Sequence, residues 1–521
     1  MNSQGIVPDL TNIKPFVADY SSRVDTEIND PVIHNTTGGN ANGGFARWTL
    51  QNKGFLSTDS CILLGLKNNS DGDEGFLAPH IGANQLISSV VLKVGAKTIS
   101  EIREFPYLSA YKCLFSSNSE NLEKNQYMDG KIYNNKELYE FEAIKNQHKK
   151  ANRYTLDNGL PLIKLPATQT ENASNVLLQQ ITRFSNVKNE TIYRLKLNDL
   201  IPFFSNEKNF PLVLCDEQIN IEIHFNPFPF NVVRTTANTN GDKVATTRPN
   251  EININKVKLL ADYIFYDDEL MNQYIELHKN KPMNWEYVDY QLSQQVITTN
   301  DVVAGANDND GLGQIPKNIR NIGGANLMVN KVLMGLENIT EYSVKTAQDD
   351  SVKNNYKARN NVLSLFNKYK GIRTINTDIK ASEFKYNLKY NGEFLFPLDR
   401  TNDSLLMNDI QASEGKPFKV NREHYSKQSS KTSLRRWGIT NYHSLNYHTV
   451  GKLFFNNTIL DGRRINSRGI ELEFSNTSID NTAYKAEAAL DGANKKYMQN
   501  VFLEVRKYAR LENGLLDCYF R

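Results

Sequence analysis

The chain has 521 residues, more than one ordinary hydrophobic core accommodates, so two domains are expected. A formal net charge of only +3 argues against a protein whose main task is coating nucleic acid. Aromatic residues make up 10 % of the chain, mostly Tyr (25) and Phe (25), and mean hydropathy is −0.53, a composition of many strands joined by long polar connections. The N-terminus, MNSQGIVPDLTNIKPF, has no basic stretch followed by an apolar one, so no secretion signal is expected. No run approaches the roughly 18–20 apolar residues of a transmembrane helix. Cys61, Cys113, Cys215 and Cys518 are far apart, with no CxxC or zinc-ligand spacing, and are expected to be buried free thiols of a reducing compartment. The Asn-x-Ser/Thr sites at Asn35, Asn172, Asn189, Asn338 and Asn476 are those an Asn-rich chain makes by chance.

Residues 1–44 are polar and glycine-rich towards their end, and are expected to form an extended arm. Strands are predicted at Phe45–Trp48, Cys61–Leu66 and Leu86–Val94, with a turn at Gly95-Ala96-Lys97. A helix is predicted from Pro106, with Tyr107, Leu108, Tyr111, Leu114 and Phe115 on one face. Residues 117–185 are mixed and polar and include the basic run Lys145–Arg153.

The stretch Thr191 to Phe228 is the most ordered in pattern. Tyr193, Leu195 and Leu197 alternate with Ile192, Arg194 and Lys196. The pattern breaks at Ile201-Pro202-Phe203-Phe204, crosses the polar insert 205–209, and resumes at Phe210-Pro211-Leu212. It ends in a strand with Ile219, Ile221, Ile223 and Phe225 on one face and Asn220, Glu222 and His224 on the other, stopped by Pro227 and Pro229. His224, on the polar face, is expected at the surface or in a subunit contact.

Residues 229–251 are turn-rich and are expected to be a linker. Val257, Leu259, Ala261, Tyr263 and Phe265 then alternate as a strand. Asp267 or Asp268 is placed to cap a helix with Leu270, Met271, Tyr274, Ile275 and Leu277 as its apolar face, ended by Pro282, and a strand Tyr287–Gln295 follows. A strand, turn and helix thus occur at 90–115 and again at 257–295, an internal echo expected of a duplicated fold. Long connections are predicted at 298–314, 343–361 and 401–436. Strands return at Val450–Phe455, Ile470–Phe474, Asn500–Val505 and Leu515–Phe520, so no removable C-terminal extension is expected.

Catalytic patterns are absent from the sequence. There is no phosphate loop, no Gly-x-Ser-x-Gly elbow and no His-x-His pair of the kind a cupin metal site needs. His443 and His448, five apart, point to opposite faces of any strand. The carboxylate pairs Asp267-Asp268 and Asp349-Asp350 have the context of caps and loops. No cofactor or metal is expected, and no enzymatic activity. The basic runs Lys145–Arg153, Lys431–Arg436 and Arg463-Arg464 lack the aromatic interleaving of a nucleic-acid reader, so at most weak contact with DNA is expected.

The order Leu197-x-x-Leu200-Ile201-Pro202-Phe203-Phe204, polar insert, Phe210-Pro211-Leu212, alternating strand resembles the segment that closes the first jelly roll in the double jelly-roll major capsid proteins of icosahedral double-stranded DNA viruses. Those include virophages, polinton-like viruses and the large nucleocytoplasmic viruses. The segment ADYIFYDDELMNQYIELHK resembles the start of their second jelly roll. There the family shows Asp-x-x-Glu-Arg. Here Asp267 and Glu269 are separated by one residue, and Leu270 stands in place of the basic residue. The resemblance implies an all-β chain of two consecutive eight-stranded jelly rolls with few helices: arm 1–44, first jelly roll 45–228, linker 229–251 and second jelly roll 252–521. It further implies a virion shell protein that forms a homotrimer, with neighbouring capsomers, a single jelly-roll penton protein and small cement proteins as partners. Whether a membrane lies beneath the shell stays open. The competing reading is a carbohydrate-binding β-sandwich protein, which Tyr- and Asn-rich loops would also suit.

Overall fold

A computed structural model of the chain describes residues 10–12, 22–34, 43–68, 74–77, 82–109, 128–130, 186–187, 191–204, 208–226, 231–235, 244–246, 252–279, 281–298, 315–338, 384–397, 453–476 and 496–519. These residues form antiparallel strands in five sheets. The first sheet runs β1 (Ser22–Asn29), β14 (Ile252–Tyr266), β5 (Cys61–Asn68), β10 (Thr191–Lys196), with the short β4 (Phe55–Leu56) also against β14. The second runs β2 (Val32–His34), β3 (Phe45–Leu50), β11 (Ile219–Phe225), β7 (Ile87–Val94), β8 (Lys97–Arg103). A smaller sheet beside them runs β13 (Val244–Thr246), β12 (Asn231–Thr235), β6 (Glu74–Leu77), β9 (Asn186–Val187).

The other half of the chain gives two more sheets. One runs β15 (Met283–Thr298), β22 (Lys496–Glu512), β17 (Met328–Asn338), β20 (Leu453–Arg464), with β23 (Leu515–Tyr519) hairpinned onto β22. Its mate runs β16 (Ile315–Gly323), β21 (Ile470–Asn476), β18 (Phe384–Tyr390), β19 (Glu393–Phe394).

Topology, more than sequence, reveals the duplication. Take the eight principal strands of the first half in chain order: β1, β3, β5, β7, β8, β10, β11 and β14. One sheet then has the order first, eighth, third, sixth, and the other second, seventh, fourth, fifth. The strands β15 to β22 of the second half give the same two orders. Each half is a jelly roll, a double-sheet sandwich of antiparallel strands. In the first, Leu64, Leu66, Leu259 and Ala261 of one sheet share a core with Trp48, Leu92, Ile221 and Ile223 of the other. In the second, Val329, Val332, Val501, Leu503 and Val505 meet Ile322, Leu388, Ile470, Leu472 and Phe474.

Sheet membership departs from the sequence expectation at both ends of the first jelly roll. Its first strand, β1, lies inside the expected arm and pairs along its whole length with β14, Ser22 opposite Tyr266 and Asn29 opposite Leu259. An edge strand draws its order from backbone pairing and half-buries its side chains, so it lacks a strong apolar pattern. Its eighth strand is β14, which the sequence assigned to the second jelly roll. Alternation identifies a strand and its buried face, and is silent on which sheet receives it. Thus 191–228 does not close the first jelly roll; 252–266 does.

The single long helix described, α1 (Asp268–Lys279), follows β14 directly and leads into β15. The Met271 amide donates to the Asp267 carbonyl as the helix begins, and Met271 and Tyr274 are buried. Leu277, expected on the apolar face, is instead 40 % exposed. A helical turn at 105–109 follows β8 and buries Tyr107 and Leu108, whereas Tyr111, Leu114 and Phe115 lie outside the described residues. The two helices follow the eighth and the fifth strand of the same jelly roll, so the expected echo between 90–115 and 257–295 does not hold. The true repeat is the strand order. The predicted loops at 343–361 and 401–436, with His443 and His448, also lie outside the described residues, as do Lys145–Arg153 and Lys431–Arg436.

Burial along adjacent strands of one segment separates two isoleucines. Ile221 is fully buried and Ile192 is 56 % exposed. Ile221→Ala is expected to destabilise by about 2–5 kcal/mol and Ile192→Ala by no more than about 0.5 kcal/mol. Urea unfolding of the two variants checks the pair.

Candidate functional site

The motif Ile201 to Leu212 is built from turns. A helical turn at Leu197–Leu200 ends where the Ile201 amide donates to the Leu197 carbonyl at 2.7 Å. Pro202 opens a 3-10 turn through Phe204, whose amide donates to the Ile201 carbonyl at 3.0 Å. Proline suits such a first turn because its ring presets φ and its missing N–H is not needed there. After the insert, Phe210 exchanges backbone hydrogen bonds with Leu56 at 2.7 and 2.9 Å, and Pro211 leads into a second 3-10 turn at Leu212–Leu214. Ile201, Pro202, Phe203, Phe204, Phe210 and Leu212 are all buried.

These turns face the other jelly roll. The Phe203 ring lies 5.0 Å from Tyr287 and 5.5 Å from Trp285, both on β15, and 5.3 and 5.4 Å from Phe204 and Phe210. Phe210 lies 5.6 Å from Trp285. Every contact is edge to face, the arrangement favoured by the ring quadrupole. The motif is therefore the plug of the seam between the two jelly rolls, holding the first strand of the second.

A polar cluster continues the seam. Asp289, two residues beyond Tyr287 on the same face of β15, accepts from the Ser100 hydroxyl at 2.7 Å and pairs with the Lys507 ammonium of β22. Lys507 also donates to the Ile99 carbonyl at 3.3 Å, as does the Tyr287 hydroxyl at 3.3 Å. Burial pushes the Tyr287 phenol and the Cys518 thiol above their ordinary values. Asp289 and Lys507 side chains are only 5 % and 14 % exposed, so each charge depends on the other. At the rim, Lys97 pairs with Asp517, and the Leu516 amide donates to Glu217 Oε2 at 3.0 Å. The Asp216 amide donates to the Gly514 carbonyl at 2.8 Å. Gly514 has φ +77°, and a Cβ there would collide with the Asp216 side chain.

Asp267 and Glu269 are not part of this seam. Both are exposed at the start of α1, where Glu269 Oε1 accepts from Gln273 Nε2 at 3.4 Å. Sequence reasoning missed Trp285, Tyr287, Asp289, Ser100 and Lys507. A signal existed for three of them: positions 285, 287 and 289 share one face of a strand, and two aromatics followed by an acid is unusual for an outward face.

A second cluster lies on the outer face of the β2–β8 sheet. Glu222, 3 % exposed, accepts from Arg47 Nε at 2.7 Å and Lys93 Nζ at 2.8 Å across adjacent strands. Burial would raise its carboxyl pKa, but the hydrogen bonds and charges of Lys93 and Arg47 outweigh that and hold it below the ordinary value. Next to it, His34, Phe45 and His224 stack at 4.4 and 5.1 Å. His224 is half-buried, and burial lowers its pKa against the opposing pull of Glu222.

Among the described residues no group of three His, Cys, Asp or Glu side chains is placed to hold a metal. Also among them, no helix is long and apolar enough to cross a membrane. A hollow lined by Leu56, Phe204 and Phe210 has about 10 Å³ of free volume, and one lined by Asn84, Asp129 and Arg194 about 20 Å³, the room of a single water.

No protein-family model matches the chain, and no curated protein matches its sequence. Solved structures do match. A chain of the Sputnik virophage, from its cryo-EM structure, superposes with a TM-score of 0.52 at 9 % identity, covering 100 % of this chain and 93 % of that one. PBCV-1 VP54, fitted into a reconstruction of the virophage Sputnik, gives 0.50 at 11 % identity over 97 % and 99 %. A chain of the PBCV-1 virus capsid gives 0.50 at 10 % identity over 97 % and 98 %. At such identities the likeness is one of fold, and it runs nearly end to end on both sides.

Two expectations follow from the clusters. Lys507→Met leaves Asp289 without its counter-charge and should cost about 3–5 kcal/mol, whereas Lys507→Met with Asp289→Leu should recover most of that loss in denaturant unfolding. For Glu222 the folded value is depressed, so its contribution is present above the unfolded-state pKa and is lost as pH falls through the folded one. Glu222→Gln should flatten the acid side of the stability profile, read as the urea midpoint against falling pH.

Proposed function

We propose that this chain is the major capsid protein of an icosahedral double-stranded DNA virus. It would be organised as a first jelly roll from β1 to β14, the connecting α1, and a second jelly roll from β15 to β23. The observation that carries the reading is the strand order, first-eighth-third-sixth over second-seventh-fourth-fifth, occurring twice along one chain. The end-to-end fold likeness to chains of the Sputnik virophage and the PBCV-1 capsid supports it.

The shape supplies the mechanism. Two similar sandwiches held by a close-packed seam present two near-equivalent barrels. Three such chains around a threefold axis present six, so a trimer fills a hexagonal position on a flat facet. The symmetry is closed, so the trimer stops growing and then acts as a building block. The pairing of Thr298 with Lys496, Asn338 with Tyr497 and Glu337 with Leu453 puts these strand ends at one end of the second jelly roll. That end of the described strands suits the outward face where copies interlock. Neighbouring trimers, a single jelly-roll penton protein at the vertices and small cement proteins are the proposed partners, and the virion is the proposed location. Contact with packaged DNA is proposed to be weak and salt-sensitive.

Light scattering on the purified chain tests this. A stable particle near three times 59.4 kDa is expected, and hexagonal tiles or closed shells by electron microscopy at higher concentration. A monomer with affinity for sugars would overturn the proposal in favour of carbohydrate binding.

A further inference from the structure

The core of the second jelly roll is apolar through Ile322, Leu388, Ile470, Leu472, Leu503 and Val505. Towards the end where Thr298 pairs with Lys496 and Asn338 with Tyr497, it gains polar side chains. Arg320 of β16 enters between the sheets there, opposite Leu472 in register. Its Nε donates to Gln499 Oε1 at 2.9 Å, its Nη1 to the Ser293 hydroxyl at 2.8 Å, and its Nη2 to the Ser293 carbonyl at 3.4 Å. Beside it Asn318 Nδ2 donates to Gln295 Oε1 at 3.1 Å, and Gln499 Nε2 faces the Met334 sulfur at 3.8 Å. The contacts of Arg320 and Asn318 bridge the two sheets.

Every partner of Arg320 is neutral, and among the described residues no carboxylate reaches it. Lys507, by contrast, meets Asp289, and Arg47 and Lys93 meet Glu222, whereas the half-buried Arg194 of β10 donates to Cys61 Sγ and the Asp59 carbonyl. Burial lowers the Arg320 pKa to about 10, still far above neutrality, so the charge persists. A guanidinium has five N–H donors and no acceptor; three are engaged, leaving one on each terminal nitrogen. The amides of Asn318 and Gln499 each keep a second N–H. The layer is thus rich in donors and carries a charge that no carboxylate among the described residues meets. A sequestered charge with no counter-charge is strongly disfavoured, and the planar fork of an arginine matches two oxygens of one oxyanion.

We propose that this layer of the second jelly roll binds a small oxyanion of the phosphate class, with Arg320 as its counter-charge and Asn318 and Gln499 as further donors. Bound there, the anion ties the two sheets together. The proposal is independent of the capsid reading.

Thermal unfolding of the full chain, titrated with sodium phosphate against sodium chloride at matched ionic strength, tests it. Phosphate is expected to raise the midpoint saturably by about 1–3 °C, with chloride doing less. Arg320→Gln should abolish the response. Asn318→Asp, which supplies a carboxylate beside the guanidinium, should also abolish it while leaving the midpoint at or above the native one. If Arg320→Gln does not fold, Asn318→Asp and phosphorus NMR line broadening of phosphate with the native chain decide. Equal effects of phosphate and chloride on the native chain, or a phosphate response that survives either substitution, would overturn the site.

Discussion

The constraint on which the molecule rests is the seam between its two jelly rolls. Two separate sandwiches on a flexible tether would have no fixed spacing between them. Phe203, in a proline-started turn, and Phe210, just before another, pack edge-on against Trp285 and Tyr287 of the first strand of the second jelly roll. Large aromatics bury much area with little entropy to lose, so a few of them fix a relative orientation firmly. The ion pair of Asp289 with Lys507, anchored by Ser100 and the Ile99 carbonyl, adds direction to what apolar packing leaves free. A misaligned seam would strand a buried charge, so the pair penalises alternative dockings more than it stabilises the native one.

The seam also extends the buried face of β22 beyond the second core. Val501, Leu503 and Val505 point into the second core, and Ala509 and Leu511, further along the same face, join the cluster shared with the first jelly roll, as Phe502 does from the other face. The duplicated strand order then places the first and eighth strands of each jelly roll side by side. In the first, β14 therefore ends beside β1 and hands the chain through α1 to β15, so the connector is short although the strands it closes lie far apart in sequence.

Charges drawn into the fold are handled in three ways. Glu222 is met by two cations on neighbouring strands of an exposed sheet face, where long side chains reach across. Asp289 is met by one cation and a hydroxyl in the seam. Arg320 is held by neutral acceptors alone, between the sheets of the second jelly roll. The first two are complete as hydrogen-bonded units; the third has the surplus of donors and charge from which an anion site was inferred.

The amino-acid sequence by itself determined the elements. Alternation located β11 and the alternating part of β14, a capped apolar stripe located α1, and the proline-aromatic motif announced a buried turn at Ile201 to Leu212. These are local properties, written in spacings of two and of three to four residues. Only the tertiary structure decided which sheet received each strand. It moved Ser22–Asn29 from the arm into a sheet edge, moved Ile252–Tyr266 from the second jelly roll into the first, and put Asp267 and Glu269 on the surface away from the seam. It alone brought Ser100, Asp289 and Lys507 together, residues far apart in the chain. The reason is physical: backbone pairing is nearly indifferent to side-chain identity, so the partner of a strand is chosen by the burial of all the others together.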